Sequence, residues 1–162
     1  MPRGQLKING QDAYTTWGMS LSDSALSALM APAPNKAYIT NKSRNENGTR
    51  IIADNAKVDE RTVTLQMHIT APNATQFFNR YNALVALLRT GQVEIWTSLN
   101  PTECYRMYYL SCTQFSEYHR RLAKFTLRMV EPDPTDREVD RSVYPHLMLD
   151  RDQLDDQYSQ LI

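Results

Sequence analysis

The sequence predicts a mainly β fold of the α+β class, with strands laid against one main α-helix at about residues 74–89. Three observations carry this. Residues 61–70 alternate, with Val63, Leu65, Met67 and Ile69 on one side and Thr62, Thr64, Gln66, His68 and Thr70 on the other. That period of two belongs to a strand with one buried and one wet face. Residues 121–130 alternate likewise, with Ala123, Phe125, Leu127 and Met129 inward. Between them the spacing changes: Phe77, Phe78, Tyr81, Leu84, Val85 and Leu88 recur as one helical stripe.

From the start of the chain, Leu6 and Ile8 form a short strand that Asn9-Gly10 turns back. Residues 13–21 read as the return strand, with Tyr14 and Trp17 as apolar bulk. Ser22 caps a two-turn helix over 23–30, with Ala25, Leu26, Leu29 and Met30 inward, and Pro32 and Pro34 end it. Tyr38 and Ile39 suggest another strand. The most polar stretch is 42–50, where Asn47-Gly48 signals a hairpin turn whose flanks have little to bury. It is either a solvated loop or a segment that leans on a partner. Ile51 and Ile52 resume the apolar pattern, and residues 54–60 form a further turn.

After the strand at 61–70, Ala71-Pro72 interrupts and Asn73 caps the main helix, with Gln76 placed to reach back. Gly91 ends it. At about 1.5 Å per residue the helix spans roughly 24 Å, and alone in water it would be marginal, so it must pack on the strands. Next, Val93, Ile95, Thr97 and Leu99 alternate with Glu94, Trp96 and Ser98 until Asn100-Pro101. Residues 104–113, with Tyr105, Tyr108 and Tyr109, form a strand apolar on both faces, hence covered on each side by a helix or a neighbouring subunit. The segment 131–134 closes a domain spanning 1–131. Residues 132–162 form a C-terminal arm, and Leu154, Tyr158 and Leu161 mark a short helix near its end.

At 162 residues, 41% hydrophobic and 22% charged, the chain suits one domain with its own core. A formal net charge of zero gives no reason to expect a sequence-specific nucleic-acid or membrane-surface binder. Neither a membrane span nor a signal peptide is expected, which places the chain in a cytoplasm or in something assembled there. Cys104 and Cys112 would lie about 26 Å apart in a straight strand and are read as reduced thiols.

Motifs for chemistry are missing. His68, His119 and His146 stand apart, no metal-ligand spacing occurs, and no nucleophile elbow or phosphate-cradling loop is present. Glu94 and Glu117 are a carboxylate pair only in principle. The tyrosines at 105–109 with Arg106, and Arg120-Arg121, favour packing over base stacking. The expectation is no enzyme, with no catalytic, cofactor-binding or metal-binding residues and no cofactor.

The order of strand, capped helix, glycine and three strands carries a resemblance, together with Ile8-Asn9-Gly10-Gln11-Asp12, the 61–70 strand leading into Phe77-Phe78-Asn79-Arg80-Tyr81, and Tyr105-Arg106-Met107-Tyr108-Tyr109. Over about residues 5–131 it resembles the N-terminal ring-forming domain of phage distal tail proteins and, more distantly, phage tail-tube proteins. The resemblance implies a split β-barrel or β-sandwich of antiparallel strands with one flanking helix. It implies a structural virion or prophage tail component, a homo-oligomer in a hexameric ring, joining tail tube to tail-tip hub proteins while DNA passes through the channel. Such a protein sits in the virion tail and is assembled in the bacterial host cytoplasm. Distal tail proteins often carry a second, carbohydrate-binding-like domain, for which this chain is too short. A tail-tube subunit is therefore an alternative, and a small-ligand-binding β-barrel is another.

Overall fold

A computed structural model describes residues 5–42, 44, 47–54, 56–140 and 142–144. Among them the elements are β1 (Leu6–Ile8), β2 (Gln11–Asp12), α1 (Ala13–Trp17), β3 (Met19–Leu21), α2 (Asp23–Met30), β4 (Ile39–Asn41), β5 (Arg50–Ile52), β6 (Arg61–Thr70), α3 (Ala74–Arg89), β7 (Gln92–Thr97), β8 (Cys104–Tyr118) and β9 (Leu122–Glu131). The short helix expected near Leu154 lies outside the described residues.

The architecture is mainly β, as the alternating segments predicted. Seven strands form one antiparallel sheet in the order β2-β1-β7-β8-β9-β6-β3. The long pair β6–β9 is its spine, in register from Arg61 opposite Glu131 to Thr70 opposite Leu122. Register puts Val63, Leu65, Met67 and Ile69 on the same face as Ala123, Phe125, Leu127 and Met129, and all eight are buried. The helices cover that face, and Leu6, Ile8, Met19, Val93, Ile95 and Met107 complete the core. Among the described residues the sheet is open rather than closed into a barrel, and helices cover its inner face.

Helix α3 forms where the spacing placed it. Asn73 is extended, and its side chain accepts the Gln76 N–H at 2.9 Å, a cap worth about 1 kcal/mol. The buried stripe is narrower than expected and rotated: Phe77, Leu84 and Leu87 are buried, Tyr81, Val85 and Leu88 half-buried, and Phe78 is 48% exposed. The cap at Ser22 also forms, accepting the Ala25 N–H at 3.2 Å. Ala25 and Leu29 face the core, but Met30 lies off that stripe and is 72% exposed.

Residues 13–21 are not one strand. Asp12 caps a single helical segment, Ala13–Trp17, and Gly18 ends it in the left-handed conformation at φ 63°. Ala13 and Trp17, four apart, are both buried, while Tyr14 points to solvent. A side chain at Gly18 would collide with the Thr70 carbonyl and the Arg80 guanidinium, so glycine is required where α1 hands over to β3. The strand after α3 is also shorter than expected: it ends at Thr97, and Leu99 is exposed in the following turn.

Candidate interaction surface

Three features beyond the core carry polar or exposed apolar groups: a buried ion network, a strap across the outer sheet face, and a projecting hairpin beside an open groove.

The network begins in strand phase. Arg61 and Glu131 fall on the inward-facing positions of β6 and β9, directly opposite each other, and Glu131 is 0% exposed. Arg61 Nε donates to Glu131 Oε1 at 3.1 Å, and Arg61 Nη2 lies at 3.1 Å from the same oxygen as an ion pair. Arg61 Nη1 donates to the carbonyls of Leu29 at 2.9 Å and Ala31 at 2.7 Å, satisfying orphan acceptors at the end of α2. From the other side Arg137 donates to both carboxylate oxygens, at 2.8 and 3.1 Å, and those bonds raise the Arg137 pKa above its ordinary value. Both guanidiniums lie over the Tyr105 ring, at 5.6 Å for Arg61 and 4.8 Å for Arg137. One carboxylate thus ties β6, β9, α2 and the segment after β9 together.

That segment, residues 132–140 and 142–144, runs from this network onto the sheet face opposite the helices. Arg106 anchors it by donating to the Glu138 carbonyl at 2.7 Å, while pairing with Glu94 on the neighbouring strand at 3.5 Å. Its end is fixed by Tyr144, which stacks on Trp96 at 5.4 Å with Cys104 in the same buried cluster. Lys7 Nζ sits over both rings at 5.7 and 5.6 Å. This strap covers Trp96, which the alternation had placed on the outer face. Burial raises the pKa of the Tyr144 phenol, and burial likewise pushes up the Cys104 thiol.

Strand β8 runs five residues further than the sequence suggested and pairs with β9 out to Tyr118 opposite Leu122. The turn places His119 and Arg120 at φ 52° and 53°, and the Glu117 carboxylate accepts the Arg120 N–H. Two consecutive left-handed residues match the sheet twist, although glycine and asparagine are the usual choices. Strand β7 pairs with β8 only as far as Gln92 opposite Tyr108. Beyond it, that edge of β8 has no strand partner among the described residues, and Leu110, Phe115 and Tyr118 are exposed. Between this hairpin and α3 lies an open apolar groove of about 580 Å³, lined by Tyr81, Val85, Leu88, Tyr109, Cys112 and Phe115 among others. Its aromatic wall is layered, with Tyr81 edge-on to Phe115 at 5.6 Å and Phe115 stacked on Phe125 at 5.9 Å. The polar stretch at 42–50 joins β4 and β5, a separate two-stranded ribbon in which Ile39, Ile51 and Ile52 are exposed.

The structure keeps apart the groups the sequence might have joined into a reaction centre. Glu94 pairs with Arg106, whereas Glu117 caps the hairpin turn. His68 stands on the outer face opposite Lys124, and burial, with the Lys124 charge second, lowers its pKa. His146 lies outside the described residues. Tyr105 is committed to the ion network and Tyr109 packs against the core, so neither is a free stacking platform. Among the described residues no group of three or more His, Cys, Asp or Glu could hold a metal ion. None of their helices is long and apolar enough to cross a membrane. Both cysteines are free, Cys104 buried and Cys112 exposed. A thiol reagent is therefore expected to label Cys112 alone in the native protein and both after denaturation. Prompt native labelling of Cys104 would show that Tyr144 does not hold its cover.

No protein-family model matches this chain, and no curated protein matches its sequence. Among solved structures, the fold matches the SPP1 Dit (gp 19.1) protein, described as a paradigm of the hub adsorption apparatus in phages infecting Gram-positive bacteria. The TM-score is 0.57 at 17% identity, over 80% of this chain and 50% of that one. This chain thus spans about half the length of that relative. The resemblance to distal tail proteins read from the sequence holds at the level of the fold: this chain is built like SPP1 Dit over four-fifths of its length.

Proposed function

We propose that this protein is a structural component of a phage or prophage tail, of the distal-tail type, without a catalytic site. The observation that carries the reading is the fold shared with SPP1 Dit over 80% of the chain. In this reading residues 1–131 form the ring-building domain and 132–162 an arm whose first part braces the outer sheet face. Copies assemble head to tail into a closed ring, hexameric in the form proposed, joining tail tube to tail-tip hub. It is assembled in the host cytoplasm and resides in the virion tail. DNA passes through the ring without sequence-specific contact, which agrees with a formally neutral chain. The free edge of β8 and the exposed ribbon support the reading, since a ring subunit keeps unsatisfied edges for its neighbours.

Electron microscopy and native mass spectrometry of the purified chain test it. Discrete rings are the expected product. Long stacked tubes would reassign the protein to the tail tube. A strict monomer at high concentration would overturn the structural-ring reading altogether.

A further inference from the structure

We propose that the groove between α3 and the β8–β9 hairpin receives residues 145–162 of a neighbouring copy. The inference rests on the ring reading only for the presence of that neighbour. On the receiving side, the groove is apolar, open and bordered by an edge of β8, residues 110 to 118, that pairs with no other strand among the described residues. Exposed apolar strand edges of this length are normally covered in a finished assembly. Arg89 lines the groove and has no carboxylate partner among the described residues.

The proposed occupant fits by composition and charge. Residues 145–162 contain Leu147, Met148 and Leu149, then Leu154, Tyr158 and Leu161 at helical spacing. Four aspartates against one arginine give the segment a formal charge of −3, and because the whole chain is neutral the remainder carries +3. An acidic amphipathic segment therefore complements the rest of its own chain.

The point of departure favours a neighbour over the same copy. Tyr144 is held against Trp96, on the face away from the helices, where Trp96 lies opposite Cys104. The groove residue Cys112 is eight positions further along β8, about 26 Å at ~3.3 Å per residue, and on the other side of the sheet. Reaching it within one copy means travelling that distance and rounding the sheet. Fourteen residues separate Tyr144 from Tyr158, about 46 Å fully extended; rounding the sheet uses most of that reach, and a neighbour's segment is the occupant we assign.

Cys112 makes the test direct, because Cys104 is buried and does not compete. Tyr158→Cys is introduced in the full chain, which is then oxidised mildly and separated without reductant, and the bridges are mapped by mass spectrometry. The expected result is a ladder of dimers and larger species bridged between position 158 and Cys112. The ladder should fall roughly tenfold or more when Cys112→Ser is added, as proximity-driven bridging requires. A bridge within one chain, tail-to-tail dimers that survive Cys112→Ser, or no bridge at all would each overturn the inference. Microscopy of the same samples separates the two proposals: rings without the bridge sink only this one, whereas absence of rings counts against the ring itself.

Discussion

Glu131→Gln is expected to lower the melting temperature by roughly 10 °C or more. The Glu131 carboxylate is fully buried and accepts from Arg61 and Arg137 at 2.8–3.1 Å. The amide keeps the volume but removes the charge, leaving two guanidiniums around a neutral group. Breaking a buried pair from one side typically costs about 3–5 kcal/mol, and at this chain length each kcal/mol moves the midpoint by about 2–4 °C. The same change weakens the hold on three elements, because Arg61 also satisfies the carbonyls ending α2 and Arg137 begins the strap. Arg137→Gln should cost less, since Glu131 keeps Arg61 and position 137 is partly exposed. Thermal unfolding by circular dichroism ranks the two. A Glu131→Gln midpoint within about 2 °C of the parent would show that the network is not a keystone.

How much of this was legible in the residues depends on the length over which a pattern repeats. The pair β6–β9 and helix α3 each carry ten or more residues of one period, enough to fix face and register. Helix α1 has five residues, too few to show a helical period against a strand, though Asp12 and Gly18 bracket it. The hairpin tip was hidden for another reason: His119-Arg120 adopts a turn usually announced by asparagine and glycine. The ion network left a signal in the same alternation, since residues 61 and 131 fall in inward phase with opposite charges. Its third member, Arg137, lies in an irregular segment with no period to read. The groove was beyond reach, because its two walls meet only once α3 and the hairpin are placed in space.

Leu84→Asp and Phe78→Asp, compared in the same assay, put the orientation of α3 on trial. Leu84 is 2% exposed and sits in the core between helix and sheet. Truncation to alanine there would cost about 2–5 kcal/mol, and a carboxylate in its place must also be desolvated. That exceeds a large part of the roughly 5–15 kcal/mol that holds a domain of this kind together, so Leu84→Asp should be unfolded or insoluble. Phe78 belongs to the same apolar stripe in the sequence, yet it is half-exposed and meets Phe77 edge-on at 5.5 Å. Phe78→Asp forfeits that ring contact and some apolar area, a loss of about 1 kcal/mol. It should fold and melt only a few degrees below the parent. The asymmetry matters more than either value, because a stripe read from spacing alone would rank the two positions alike. Equal damage at both would mean that α3 is rolled towards Phe78, and the groove beside Tyr81 and Val85 would then have to be redrawn.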